Sequence, residues 1–331
     1  MIAADDERMF QLDAAIRFMQ EHDDFLIVSH VNPDGDAISS TLAVGMLLQQ
    51  LNKTFTMANS DSLPGKLNYL SGYERVLNVS DYPGERRQYR YVIAVDCADF
   101  ARIGGARDWF DPQAVILNID HHPTNDGFGS IRLIRASAAA TVEVLTELAD
   151  RLGATWGKQL AECVYTGLLT DTGGFRYANT SSYVMEIASR MLGYGADGHQ
   201  LAEHLLERIA FSHILLLKRA LTTLAFDANN RICWVAVTGR DIIETGANHE
   251  DLEGLVNYPR NIEGVAVGML FKEVDSSTVK VSFRSNGDVD VAQVAKRIGG
   301  GGHVRAAGCT VHKPLAEAIP YIIDIVKQEL Q

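Results

Sequence analysis

The stretch FLIVSHVNPDGDAISSTLAVGMLLQQL, residues 25–51, passes from an apolar run through a polar turn into a helically spaced segment. PDGD is good turn chemistry, and Asp36 reads as the cap of the helix that follows. The pattern recurs along the first half of the chain. FTMANS (55–60), YVIAVD (91–96) and AVILNID (114–120) are short apolar runs that mostly end in a polar residue. SAAATVEVLTELADRL (137–152) carries apolar residues at helical spacing. Alternating β and α units imply an α/β fold, a parallel sheet with helices on both faces. Ligands in such sheets gather beyond the strand C-termini. His30, Asp96 and Asp120 stand at those ends.

From Tyr194 to about Lys218 the chain begins with glycines and continues as a polar–apolar helical stretch. Beyond it RICWVAVTG (231–239), GVAVGMLFKEV (264–274) and STVKVSFRS (277–285) read as strands, and VDVAQVAKRI and LAEAIPYIIDIVKQEL as helices. A smaller α+β C-terminal domain follows from this. The expected division is 1–193, a helical connector at 194–218, and 219–331.

A chain of 331 residues is comfortable for two cores. A hydrophobic content of 47% and a charged content of 22% are ordinary for a soluble protein. The net charge of −12 argues against a broad grip on long duplex nucleic acid, which needs a basic face. A small anion held by local Lys and Arg is compatible with it. Cys97, Cys163, Cys233 and Cys309 show neither a disulfide framework nor zinc spacing. Asp5, Asp6 and Glu7 stand where a secretory signal has basic residues, and no apolar run reaches membrane-spanning length. A cytoplasmic protein without a membrane partner is expected.

The chemistry lies in four motifs. They carry His30, Asp34 and Asp36, then Asp96, then His121, then Asp171. Carboxylates with a few imidazoles are costly to bury unless coordinated, and they suit two divalent cations, Mn²⁺ better than Zn²⁺. A metal pair roughly 3.5–4 Å apart is a standard device for hydrolysing phosphate esters. Taken singly each residue has a plainer reading: a cap at Asp36, a loop-amide acceptor at Asp96, a surface ion pair for Asp99. In an extended segment His121 and His122 point to opposite sides, so both reach one metal only through a sharp turn. Asn125 either reaches a phosphate or makes an Asx-turn. The Gly173–Gly174 pair allows close backbone approach after Asp171. Gly299 to Gly302 precede His303 and lie between two helices; their successive N–H groups can form an anion receptor. Arg284 and Ser285 supply a charge and a hydroxyl for phosphate.

SHVNPDGDAISS, VDCAD, DHH and GLLTDTGGFRYANTS resemble the four motifs of the DHH phosphoesterase family. GGGGHVRAAG (Gly299–Gly308) resembles the signature of the DHH-associated C-terminal domain, so the resemblance covers nearly the whole chain. Ser39 stands where the family usually has glycine. The resemblance implies metal ligation by His30, Asp34, Asp36, Asp96, His121 and Asp171, with Asp96 bridging two Mn²⁺ ions, for which Mg²⁺ or Co²⁺ can substitute. It implies a catalytic role for His122 near the scissile phosphate, with Asp120 orienting a ligand. Arg284, Ser285, Gly300, Gly301, Gly302 and His303 then hold the far end of the nucleotide, in an active-site cleft between the domains. A two-domain chain of this length resembles the bacterial nanoRNase type, which acts on short oligoribonucleotides and on 3′-phosphoadenosine 5′-phosphate. A homodimer is compatible with this. A phosphodiesterase for cyclic di-AMP or its linear product uses the same motifs. A pyrophosphatase lacks the C-terminal signature, a RecJ-like exonuclease is longer, and a non-catalytic nucleotide sensor loses at least one ligand.

Overall fold

The strand β1 (Phe25–Val28) is buried along its whole length. A strand that is apolar on both faces belongs inside a parallel sheet. In the computed structural model it sits there. β1, β2 (Phe55–Asn59), β3 (Val76–Asn78), β4 (Tyr89–Val95), β5 (Phe110–Asp120) and β6 (Ile131–Ile134) form one sheet in the order β3-β2-β1-β4-β5-β6. Every pairing in it is parallel. The order reverses between β1 and β4, the switch point at which open α/β sheets leave a crevice. The structure describes all residues except 1, 83, 85, 249, 288 and 331, and for residues 2–6, 250 and 303 it describes the backbone alone.

The helices α1 (Ile2–Glu21), α2 (Gly35–Gln50) and α3 (Thr141–Leu152) cover one face. There Leu12, Phe18, Leu42, Leu47 and Leu148 pack on Ile27, Met57, Ile93 and Ile119. On the other face Leu26, Val28, Ala58, Val92 and Ala94 lie under Ile103, Ala106 and Trp109. Those three come from a 3₁₀ stretch, Phe100–Trp109, which covers that face. α4 (Lys158–Asp171) and α5 (Ser182–Gly193) form a further layer against α3. α4 approaches α2 closely because two glycines allow it. A Cβ on Gly35 would lie 2.3 Å from the Thr170 side chain, and one on Gly167 would lie 2.6 Å from Asp36 Oδ1. The cap of α2 differs from the sequence expectation. Asp34 fills that position, accepting from the Ala37 amide, and Asp36 lies inside the first turn. Its carboxylate is thereby free to reach another helix.

After α6 (Gly198–Ala202) and a π turn at Glu203–Glu207, the chain divides into two compact units, Met1–Arg208 and Ile209–Gln331. The second contains α7 (Phe211–Thr222), β7 (Ala225–Asp227), β8 (Ile232–Val237), α8 (Gly239–Thr245), α9 (Asn257–Arg260), β9 (Val267–Asp275), β10 (Thr278–Ser285), α10 (Val291–Lys296), β11 (Gly301–His303), β12 (Ala306–Val311) and α11 (Leu315–Glu329). Its sheet runs β11-β12-β10-β9-β8-β7 and is mixed, with β8 and β9 parallel and the other pairs antiparallel. Val279, Val281 and Phe283 alternate along β10 and bury against Val294 of α10 and Ile322 of α11. The glycine run corrects the sequence reading of a loop between two helices. Gly301, Gly302 and His303 form an edge strand that pairs with Gly308, Ala307 and Ala306. The small residues permit the contact: a Cβ on Gly300 would meet Gly308 O at 2.2 Å, and one on Gly302 would meet Ala306 O at 2.5 Å.

Gly167→Val tests the closeness of α2 and α4. The added side chain must displace Asp36 or Val142, and such overpacking outweighs the small gain in helix propensity. A loss of roughly 2 kcal/mol is expected in urea denaturation, with weakened divalent-ion binding in the folded variant. Unchanged stability and binding would show that the contact is dispensable.

Candidate metal centre

The strand ends and two helix ends deliver one cluster. His30 follows β1, Asp34 and Asp36 flank the entry into α2, Asp96 follows β4, His121 and His122 follow β5, and Asp171 closes α4. His30 Nε2 lies 3.6 Å from Asp96 Oδ2 and 3.8 Å from Asp34 Oδ2. His121 Nε2 lies 3.5 Å from Asp96 Oδ1 and 3.3 Å from Asp171 Oδ2. Three groups of candidate ligands result: His30–Asp34–Asp96, Asp36–His121–Asp171 and Asp96–His121–His122. Asp96 belongs to two of them, as does His121. Asp96 itself takes a left-handed backbone (φ +54°), which an aspartate tolerates better than a branched residue. That turn ends the strand and aims the carboxylate into the cluster.

The adjacent histidines do not diverge. β5 ends at Asp120 and the chain turns, with the Asn125 amide donating to His122 O at 3.1 Å. The two rings lie 4.7 Å apart, and His122 Nδ1 is 3.7 Å from the same Asp96 oxygen that faces His121.

The donor set fits divalent cations. His30 Nδ1 lies 2.8 Å from Val31 O, and His121 Nδ1 lies 3.2 Å from Ala138 O. A ring nitrogen on a carbonyl carries the hydrogen, so in each neutral ring the Nε2 lone pair faces the carboxylates, as ligation requires. The carboxylates strain against one another. Burial pushes Asp36 well above the usual carboxylate range, and the nearby Asp96 and Asp34 charges push the same way. Burial does the same to Asp171, with Asp36, Asp34 and Asp96 adding to it. Burial opposes charge on His30 too, yet Asp34 and Asp96 prevail and hold it up to about 10. A site that draws protons this strongly is one that a divalent cation relieves.

Other contacts hold the cluster in place. Asp36 accepts from the Thr141 and Val142 amides, at 2.5 and 3.1 Å, so it sits on the N-terminus of α3. Thr141 Oγ1 donates to Asp96 Oδ1 at 2.9 Å. Nothing in SAAATVEV marks Thr141 beyond its place at a helix start. Buried Asp120 accepts from His122 Nδ1 at 2.7 Å and from Asn125 Nδ2 at 2.6 Å. Burial works against the Asp120 charge, but His122 and Asn125 outweigh it and lower its pKa. Burial likewise opposes charge on His122, and Asp120 with Asp96 overcomes it and raises the pKa. Asn125 also donates to Cys97 O at 3.2 Å and accepts from the Gly127 amide at 2.8 Å, which is the Asx-turn. The expected Asp99 ion pair takes another form: its side chain caps the 3₁₀ stretch by accepting from the Arg102 amide at 3.0 Å.

The remaining sequence candidates lie in the second unit. Arg284 and His303 both pair with Ala306, on strands either side of it. The side chain of His303 lies outside the described residues. Arg284 Nη1 donates to Phe283 O at 2.9 Å, and buried Ser285 reaches Val304 O at 3.4 Å. Gly300 lies just before β11, and Gly301 and Gly302 lie in it.

Asp171→Asn removes one repelling charge and keeps the side chain's shape. An aspartate whose folded pKa exceeds its unfolded value binds more protons when folded, so stability declines as the pH rises above about 4. Metal-stripped Asp171→Asn is therefore expected to melt above metal-stripped wild type at pH 7 and close to it at pH 4. Mn²⁺ at 100 times its Kd should stabilise the wild type by about 2.7 kcal/mol and the variant far less. Melting curves at both pH values, with and without Mn²⁺, decide it; a lower Tm for the stripped variant at pH 7 contradicts the repulsion.

Two family descriptions match the chain: the DHH family N-terminal domain over residues 24–168, and the DHHA1 domain over residues 229–331. The chain is 36% identical to a Thermus thermophilus protein named bifunctional oligoribonuclease and PAP phosphatase NrnA, over 92% of this chain and 89% of that one. A crystal structure of an exopolyphosphatase-related protein from Bacteroides fragilis superposes with a TM-score of 0.89 at 25% identity, covering 97% of this chain and 96% of that one. RecJ from Thermus thermophilus, in complex with Mn²⁺, shares the fold at a TM-score of 0.55 and 14% identity, over 96% of this chain and 54% of RecJ. With its four N-terminal motifs converging on one centre and a DHHA1 domain behind them, the chain belongs to the DHH family.

Proposed function

We propose that the chain is a two-metal phosphoesterase, with Mn²⁺ as the working ion, that hydrolyses short oligoribonucleotides and 3′-phosphoadenosine 5′-phosphate. The observation that carries this reading is the convergence of His30, Asp34, Asp36 and Asp171 on Asp96 and His121. The name of the Thermus thermophilus relative supports the substrate class. When bound, a metal pair activates water as a nucleophile and offsets charge on the phosphoryl oxygens. His30, Asp34, Asp36, Asp96, His121 and Asp171 would hold the pair. His122 is anchored through Nδ1 on Asp120, which leaves Nε2 to donate toward the leaving oxygen. Asn125 acts one step further out, by fixing Asp120. In the second unit Arg284, Ser285, Gly300, Gly301, Gly302 and His303 are the proposed nucleotide-binding residues. Short RNA ends arise inside the cell, and this reading places the chain in the cytoplasm.

Asp96→Ala is expected to abolish hydrolysis and lower Mn²⁺ occupancy while the far-UV circular dichroism spectrum stays native. Full activity in that variant contradicts the shared-ligand centre.

A second test uses length and salt. With a net charge of −12 the chain holds only a few phosphates, through local cations and the metals. Rates on RNA should fall steeply from dinucleotide to long oligomer. The log–log salt slope should stay near −1.4 to −2.1, from roughly −0.7 for each of two or three neutralised phosphates on a single strand. Processive degradation of long RNA with a steep slope favours a RecJ-like activity, and sole turnover of cyclic di-AMP or its linear product favours a dinucleotide phosphodiesterase.

A further inference from the structure

The segment between β6 and α3, residues 135–140, ends in three buried alanines, Ala138, Ala139 and Ala140. Its polar contacts are made by the backbone and by the start of α3. His121 Nδ1 rests on Ala138 O at 3.2 Å, and the Thr141 and Val142 amides hold Asp36. Thr141 Oγ1 holds Asp96. Asn179 Nδ2 joins Ala139 O to Asp171 O, at 3.3 and 3.1 Å. Four of the six candidate ligands are thus tied to residues 138–142, a stretch whose alanine side chains cannot anchor it.

The anchor is Glu143, a carboxylate inside a run, residues 141–146, that is buried throughout. Its Oε2 accepts from the Ala139 amide at 2.7 Å, and its Oε1 accepts from Arg135 Nη2 at 2.8 Å. Arg135 Nη1 donates in turn to Glu147 at 2.9 Å, and Arg8 pairs with Glu147. A largely buried ion pair stabilises a fold little compared with apolar packing, so its presence here needs another reason. The peptide between Ala138 and Ala139 supplies one. That peptide is trans, so its carbonyl faces His121 while its N–H faces Glu143 on the opposite side. A carboxylate on the N–H polarises the peptide and strengthens the carbonyl as an acceptor. A histidine that donates from one nitrogen to a stronger acceptor is a more basic ligand through the other. We infer that Glu143, locked by Arg135, is a positioning residue for His121 and acts on it through the 138–139 peptide, an assignment that rests on the metal-centre reading of this chain. The plainer role is half of a capping box, since Glu143 is the third residue of α3 and the N-cap, Ala140, has no side chain to return the bond. A box would bond the amide of Ala140; the bond goes instead to Ala139, on the peptide that His121 uses.

Two variants of the full chain test this. Glu143→Gln keeps the shape and an acceptor but removes the charge, whereas Glu143→Asp keeps the charge and withdraws it from the Ala139 amide. Each should weaken Mn²⁺ binding, measured calorimetrically, by about tenfold or more, the usual cost of losing a contact behind a metal ligand. Asp150→Asn is the control, because Asp150 pairs with Arg190 about two turns further along α3. It should keep the wild-type affinity. The metal-stripped chain gives a second readout, the Nδ1–H proton signal of His121 in spectra of nitrogen-labelled histidine, assigned by its absence from His121→Asn. That signal should move upfield in both Glu143 variants as its hydrogen bond weakens, and stay in place in Asp150→Asn. A mere helix cap would leave it unmoved. An unmoved His121 signal in the folded Glu143 variants overturns the assignment, and so does a loss of affinity in Asp150→Asn as large as theirs. A wild type that binds no Mn²⁺ removes the metal-centre reading, and the His121 signal of the stripped chain still decides the role of Glu143.

Discussion

Four aspartates, Asp34, Asp36, Asp96 and Asp171, meet at the switch point of a parallel sheet, and their mutual repulsion is the constraint around which the first unit is built. Water cannot screen them well, since Asp36 and Asp96 are buried. The protein meets the cost with fixed donors. The first amides of α3 hold Asp36, where the partial positive charge of a helix N-terminus favours a carboxylate. The Thr141 hydroxyl holds Asp96. Gly167 lets α4 come near enough to bring Asp171 to the same place. Helix placement, strand ends and the glycine in α4 thus answer one electrostatic problem, and the remaining charge imbalance is what a divalent ion meets.

Orientation is settled by a second set of contacts. His30 and His121 each rest a ring nitrogen on a backbone carbonyl, and His122 rests on Asp120, itself held by Asn125. Asn125 is tied in turn to Cys97 O, one residue after Asp96. The loop after β5 and the loop after β4 are therefore tied to each other. Side chains whose rotamers are locked in this way lose little freedom on binding an ion.

Much of this was legible in the chain because the decisive strands announce themselves. β1, β4 and β5 are apolar runs that stop at a polar residue, and each stop is a site residue or its neighbour. What stayed hidden has physical reasons. β3 and β7 are three residues long, too short to show alternation. β11 and β12 are built of glycine, alanine and one histidine at their start, a composition that reads as a loop, although close pairing is what demands it. The contacts of Thr141 with Asp36 and Asp96 span 105 and 45 residues of sequence, beyond any local pattern. Asp36 looked like a cap from its spacing alone. Only the position of α3 shows that it caps a different helix from the one it belongs to.

The four carboxylates of the first unit carry four negative charges when ionised, a charge that divalent cations offset. Without a cation the same centre draws protons, which is what the raised Asp36 and Asp171 express. The second unit works with the opposite sign: Lys272, Lys280 and Arg284 line one hollow of its sheet within a chain whose net charge is −12. A net negative charge disfavours long polyanions, and its field falls off within about 10 Å in ordinary salt. A longer strand must lay its additional phosphates along the protein surface. The net charge thus disfavours long polyanions before any steric limit is considered.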